Sequence, residues 1–238
     1  MKTVLVTGGS RGIGKECVKM FSDAGYRVAF TYKSSEQAAA QLASECGALA
    51  IRADSEIPAE IEAAVALCER EIGAPDVLIN NAAVSSIALI TDVTLEEWHR
   101  VMNVSVTGSF LYSKRVLPKM INKKWGRIIN IGSMWGSVGA SCEVHYSTAK
   151  AAIEGFTKAL AKEVGPSGIT VNAIAPGVIK TDMNASLDEE TMRALADETP
   201  VGRIGEPCDV ARAALFLVSE GASFITGEIM NVSGGFVV

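Results

Sequence analysis

Cysteine is scarce in this chain and is not arranged to do chemistry. The five thiols, Cys17, Cys46, Cys68, Cys142 and Cys208, are odd in number and have no C-x-x-C spacing. That excludes a disulfide framework and a thiolate metal site, so no metal is expected. Reduced packing thiols point to a reducing compartment, and a cytoplasmic location is expected. No long apolar run is present: a stretch such as Ala213–Val218 is far too short to span a bilayer. No leader is expected before Met1, because a strand pattern begins at once. A basic stripe is also missing. Lys and Arg number 22 against 27 Asp and Glu, for a net charge of −5, and they are dispersed. Nucleic acid is thereby excluded as a partner, since phosphate binding needs clustered positive charge. There is no linker, internal repeat or low-complexity tract to divide the 238 residues, so one domain over 1–238 is expected.

What the chain does have is alternation. Apolar strand-length runs occur at Thr3–Thr7, Arg27–Tyr32, Ala48–Arg52, Val77–Asn80, Arg127–Ile131, Thr170–Ala175 and Glu228–Val232. Several are apolar nearly throughout, as in a parallel sheet covered on both faces. Helical patterns lie between them. Thr94 with Glu97, and Ser186 with Glu189, have capping-box spacing, and Pro207 suits a first helical turn. Ala149, Ile153, Phe156 and Leu160 form one apolar stripe. The fold class expected is α/β, a Rossmann-type doubly wound parallel sheet of about seven strands with helices on both faces. Thr181–Arg203 breaks the rhythm with a polar helix and is expected to be a substrate lid.

The first strand runs into Gly8-Gly9-Ser10-Arg11-Gly12-Ile13-Gly14, and a helical pattern follows. In this context the glycines read as a dinucleotide cradle: Gly8 for the tight turn, Gly12 for close approach of a pyrophosphate, Gly14 for helix-on-strand packing. The helix N-terminus offers free N–H groups to phosphate. An acid at the end of the second strand would hold a ribose 2′-hydroxyl. Here that position is Tyr32, and Lys33 and Arg11 supply positive charge for a 2′-phosphate. NADP(H) is therefore the expected cofactor.

The ordered set TGGSRGIG at Thr7–Gly14, Asp54, NNAA at Asn80–Ala83, Asn103, Ser133, YSTAK at Tyr146–Lys150 and PGVIKT at Pro176–Thr181 resembles the short-chain dehydrogenase/reductase family over essentially the whole chain. The resemblance implies carbonyl–alcohol interconversion. It makes Tyr146 the general acid/base, Lys150 the ribose-binding residue that tunes it, Ser133 the group that orients the carbonyl oxygen, and Asn103 the holder of a relay water. It further implies that Asp54 contacts adenine. Asn81 and Ala82 would line the adenosine side, and Pro176, Gly177, Ile179 and Thr181 the nicotinamide side, with Ser10 and Ile13 in the phosphate loop. Lys150 lies four residues after Tyr146, on one helix face. An ammonium there is expected to lower a phenol whose ordinary pKa is about 10. His145 and His99 are expected to be helix-face residues. Ala83 departs from the family's usual Gly, and its methyl is expected to crowd the cofactor path.

The tail from Pro200 resembles 3-oxoacyl-acyl-carrier-protein reductases, which implies an acyl thioester on acyl carrier protein as substrate. Of the two basic docking positions the resemblance implies near the pocket mouth, one falls on Lys124 and the other on Ser167. Trp135–Lys150 instead resembles reductases of a 5-aminopentanone group on elongation factor P. Glu143, at a substrate-facing position, would pair with the ammonium of that group. A catabolic alcohol or sugar dehydrogenase and a non-catalytic nucleotide sensor are the remaining alternatives. The resemblance also implies a homotetramer, with helices around 94–122 and 145–164 packed between subunits.

Overall fold

The computed structural model describes residues 1–184 and 188–237. Seven strands form one parallel sheet: β1 (Thr3–Val6), β2 (Arg27–Tyr32), β3 (Leu49–Arg52), β4 (Val77–Asn80), β5 (Gly126–Ile131), β6 (Ile169–Pro176) and β7 (Ile229–Val232). Their order is β3-β2-β1-β4-β5-β6-β7. The chain winds outward from β1 to β3, then returns to the far side of β1 with β4. The reversal leaves a crevice at the carboxyl ends of β1 and β4, where open α/β sheets take their ligands.

Helices cover both faces: α1 (Gly12–Asp23), α2 (Glu36–Cys46), α3 (Pro58–Glu71), α4 (Leu95–Met102), α5 (Gly108–Lys123), α6 (Met134–Val138), α7 (Val144–Val164), α8 (Glu189–Glu198) and α9 (Pro207–Leu217). Side chains alternate across each strand, so successive residues enter different cores. Val4, Val6, Phe30 and Ile79 pack with Phe21 of α1 and Val210 and Ala214 of α9. Leu5, Leu78 and Ile128 pack with Val65 of α3, Tyr112 and Val116 of α5 and Leu160 of α7. Each such buried aliphatic or aromatic side chain contributes roughly 1.5–3 kcal/mol. In the α7 stripe Ala149, Ile153 and Leu160 are buried and Phe156 is half-buried.

Local signals explain several boundaries. Thr94 accepts a bond from the Glu97 amide at 3.2 Å and starts α4. Pro207 opens α9, where Glu206 and Asp209 complete a capping box. The expected box at Ser186 and Glu189 falls partly outside the described residues. Asp188 caps α8 instead, accepting from the Thr191 amide at 2.8 Å. Among the described residues no helix is long and apolar enough to cross a membrane.

Candidate active site

The end of β1 and the end of β4 are stapled together. Asn81 Nδ2 donates to the carbonyls of Thr7 at 2.9 Å and Gly8 at 3.0 Å. The Thr7 hydroxyl in turn accepts from the amides of Asn81 and Ala82, both at 2.9 Å. Gly8 turns with φ +65°, and a Cβ on Gly14 would lie 2.3 Å from the Gly8 carbonyl oxygen and 2.5 Å from Asn81 Nδ2. Contacts that short force a displacement, so only glycine lets α1 descend onto this turn. Arg11 precedes α1 in extended geometry, and no side chain caps the helix. The amides of its first turn are left for an acceptor, which suits a dinucleotide phosphate. Ser10 is buried in the loop and Ile13 packs against the core. Thr181 reaches the loop from the other side, 3.4 Å from where a Gly12 Cβ would stand.

Lys33 lies at the end of β2 as expected, but its ammonium is already engaged. It pairs with Asp54, just beyond β3, at 2.5 Å. Burial acts against the Asp54 anion, yet Lys33 and the Glu56 amide hold the carboxyl below its ordinary value. The two residues assigned to the adenosine end thus form one unit. Arg11 is exposed and makes no ion pair among the described residues.

Six further positions lie around the ends of β5 and β6. Ser133 caps α6 and accepts from the Trp135 amide at 3.2 Å. Tyr146 and Lys150, one turn apart on α7, are buried with 8% and 3% exposure. Gly177, after β6, donates to the Val232 carbonyl at 3.0 Å, and Ile179 is buried. Asn103 opens a π-helical turn (Asn103–Thr107) between α4 and α5 that packs on α7. Such turns recur at functional sites, and nothing in the spacing of NVSVT announced it.

The electrostatics differ from the sequence expectation. Burial pushes the Tyr146 phenol up to about 12; the Ser133 hydroxyl opposes this and the Glu143 carboxylate adds to it. Burial brings Lys150 down to about 8. Its Nζ donates to the Ile131 carbonyl at 2.8 Å and lies 5.5 Å from the centre of the Tyr146 ring. Desolvation thus raises the phenol that an ammonium was expected to lower. His145 lies on α7 as expected, on its buried side: it is fully buried, with Nε2 2.9 Å from Ser86 Oγ. Nor is Lys124 near this chain's pocket mouth. It follows α5 and precedes β5, so a six-residue strand, roughly 20 Å, separates it from Ser133. The Ser167 position lies beside it, since a Cβ on Gly168 would meet the Lys124 carbonyl at 2.5 Å.

Sequence reasoning missed the polar chain that seats α7. Asn80 Nδ2 donates to Asn130 Oδ1 at 2.8 Å, and Asn130 Nδ2 donates to Thr157 Oγ1 at 2.9 Å. The signal was there, because Asn80 and Asn130 interrupt apolar strands.

Comparison with known proteins places the whole chain. Residues 8–237 match the family model described as enoyl-(acyl carrier protein) reductase. The chain is 42% identical to the 3-oxoacyl-[acyl-carrier-protein] reductase of Aquifex aeolicus (strain VF5), covering 98% of this chain and 96% of that one. It is 41% identical to the acetoacetyl-CoA reductase of Shinella zoogloeoides, covering 98% of each. A blue fluorescent protein from a metagenomic library, solved in complex with NADPH, superposes with a TM-score of 0.94 at 36% identity, over 100% of this chain and 98% of that one. A likeness that starts in the phosphate cradle and continues into the final strand makes this chain a member of the short-chain dehydrogenase/reductase family.

Proposed function

We propose that the protein is an NADPH-dependent reductase that turns the 3-oxo group of an acyl thioester, carried on acyl carrier protein, into a secondary alcohol. The observation that carries this reading is the grouping of Ser133, Tyr146 and Lys150 at the carboxyl end of β5, the same end of the sheet at which the Gly8–Gly14 loop follows β1. The thioester substrate is favoured because 3-oxoacyl and acetoacetyl thioester reductases are similar over nearly the whole chain. The nicotinamide, when bound, supplies hydride to the carbonyl carbon. Tyr146 donates a proton to the oxygen, and burial keeps its phenol protonated for that purpose. Ser133 orients the same oxygen. Lys150 holds the ribose hydroxyls, and Asn103 holds a water that returns protons from solvent. Arg11 and Lys33 receive the 2′-phosphate, with Lys33 turning from Asp54 or sharing it. Asp54 borders the adenine, Asn81 and Ala82 the adenosine, and Pro176, Gly177, Ile179 and Thr181 the nicotinamide. The segment 181–203, of which 185–187 lie outside the described residues, is the part of the chain assigned to cover the substrate. The test is oxidation of NADPH with an acetoacetyl thioester; no turnover with that substrate would refute the reading.

Glu143 favours a second reading. Its carboxylate accepts from Ser85 at 3.1 Å at the start of α7 and acts on the Tyr146 phenol. A cationic substrate, such as 5-aminopentanone on elongation factor P, would be met by that charge. Glu143→Gln should then impair an aminoketone and spare an acyl thioester; equal effects on both would dismiss it. A homotetramer fits the exposed Leu95, Phe110 and Ile121 on α4 and α5, and sedimentation analysis measures it.

A further inference from the structure

The loop after β4 is sewn to the residues leading into α7. Ser85 donates to Glu143 Oε2 at 3.1 Å, the Ala88 amide donates to the Cys142 carbonyl at 2.9 Å, and Ser86 Oγ lies 2.9 Å from His145 Nε2. His145 is fully buried, and its Nδ1 has no partner among the described residues. That asymmetry selects the tautomer. A proton on Nδ1 would leave a buried N–H without an acceptor, which is rarer than an acceptor without a donor. The proton therefore sits on Nε2 and is donated to Ser86. Ser86 receives this bond and makes no other among the described residues, so its own O–H is left to give. Ser85 differs, because its donor is committed to Glu143.

Ser86 is half-buried, five residues beyond Asn81, and joined to the residue immediately before Tyr146. We infer that Ser86 is a further substrate-binding residue whose hydroxyl donates to a second carbonyl oxygen of the substrate, and that His145 is the positioning residue behind it. This rests on the 3-oxoacyl thioester reading. Such a substrate has two carbonyls one carbon apart. Ser133 and Tyr146 take the reacting oxygen, and the thioester oxygen needs a neutral donor nearby. A bond to that spectator oxygen is equally strong in the ground and transition states, so it acts on KM and not on kcat.

The test uses two substrates: S-acetoacetyl-N-acetylcysteamine, and S-(3-oxobutyl)-N-acetylcysteamine, in which a methylene replaces the thioester carbonyl. Ser86→Ala should raise KM for the first about tenfold, with kcat within about twofold, and leave the second unchanged. His145→Gln, whose amide reaches the Nε2 position, should keep the wild-type KM. His145→Asn, which is too short, should behave like Ser86→Ala. If Ser86→Ala harms both substrates alike, or neither, the substrate contact is overturned. If His145→Asn keeps the wild-type KM with Ser86→Ala impaired, the positioning role is overturned. A wild type that reduces only the thioether ketone refutes the thioester reading itself, and this inference falls with it.

Discussion

Lys150 stands over the Tyr146 ring, 5.5 Å from its centre, yet gives its hydrogen bond to the Ile131 carbonyl. The pair are neighbours held by separate constraints. Tyr146 is fixed by burial beside Ser133, and Lys150 is fixed by the end of β5. Removing the phenolic oxygen should therefore leave the scaffold and the cradle intact. Tyr146→Phe is expected to lower kcat by at least about 10²-fold, as loss of general acid catalysis does. NADPH binding, followed by its fluorescence, should be unchanged. Retained turnover would mean that another group supplies the proton.

Lys150 also makes a prediction about pH and stability. Its folded pKa, about 8, lies below the ordinary 10.5. Between those values the unfolded chain binds more protons, so stability rises with pH across that window. Below about pH 8 the full penalty of burying the ammonium is present. Lys150→Met should thus be most stable relative to wild type near pH 7, by up to a few kcal/mol, with the difference shrinking toward pH 10.5. Tm measured against pH reads this directly. Parallel curves for the two proteins would show that Lys150 is not buried as a cation.

The Lys33–Asp54 pair and the exposed Arg11 bear on cofactor choice. Arg11→Ala with Lys33→Ala should raise KM for NADPH by roughly tenfold or more, as loss of charge-assisted bonds does, and barely alter NADH. Steady-state titration of both cofactors decides it. Equal losses would place these side chains away from the 2′-phosphate.

The cradle itself is intolerant of a methyl group. Gly14→Ala puts carbon against the Gly8 carbonyl and the Asn81 amide. It should cost about 1–3 kcal/mol of stability through forced displacement. It should also weaken NADPH, because the same shift spoils the turn. Chemical denaturation and fluorescence titration test the two effects separately.

Most of the architecture could be read from patterning, because strands buried on both faces leave continuous apolar runs. All seven strands fall within a residue or so of their expected limits. The glycine loop was legible because it stands between a first strand and a first helix; Ser133, Tyr146 and Lys150 stood out only through the family resemblance, and the structure puts Ser133 and the Lys150 ammonium at the carboxyl end of β5. Magnitudes of burial were not legible. The acidity of Tyr146 was misjudged because local spacing shows Lys150 but not the low-polarity surroundings. The burial of His145 was not legible because its partner, Ser86, is 59 residues away in sequence. Cys17 and Cys68 pack in the two cores as read, and burial pushes each thiol up to about 12.

The Asn81 bridge to Thr7 and Gly8 joins positions 74 and 73 residues apart. A chain emerging from the ribosome therefore lacks this nucleotide grip until Asn81 has been made. The glycine turn is among the first segments made, but it stays unsupported until β4 has emerged and slotted in beside β1. Tyr146 on α7 follows later still. The cradle thus cannot close until the chain is made past Asn81, about a third of its length, and a prematurely terminated fragment ending before β4 would lack that grip.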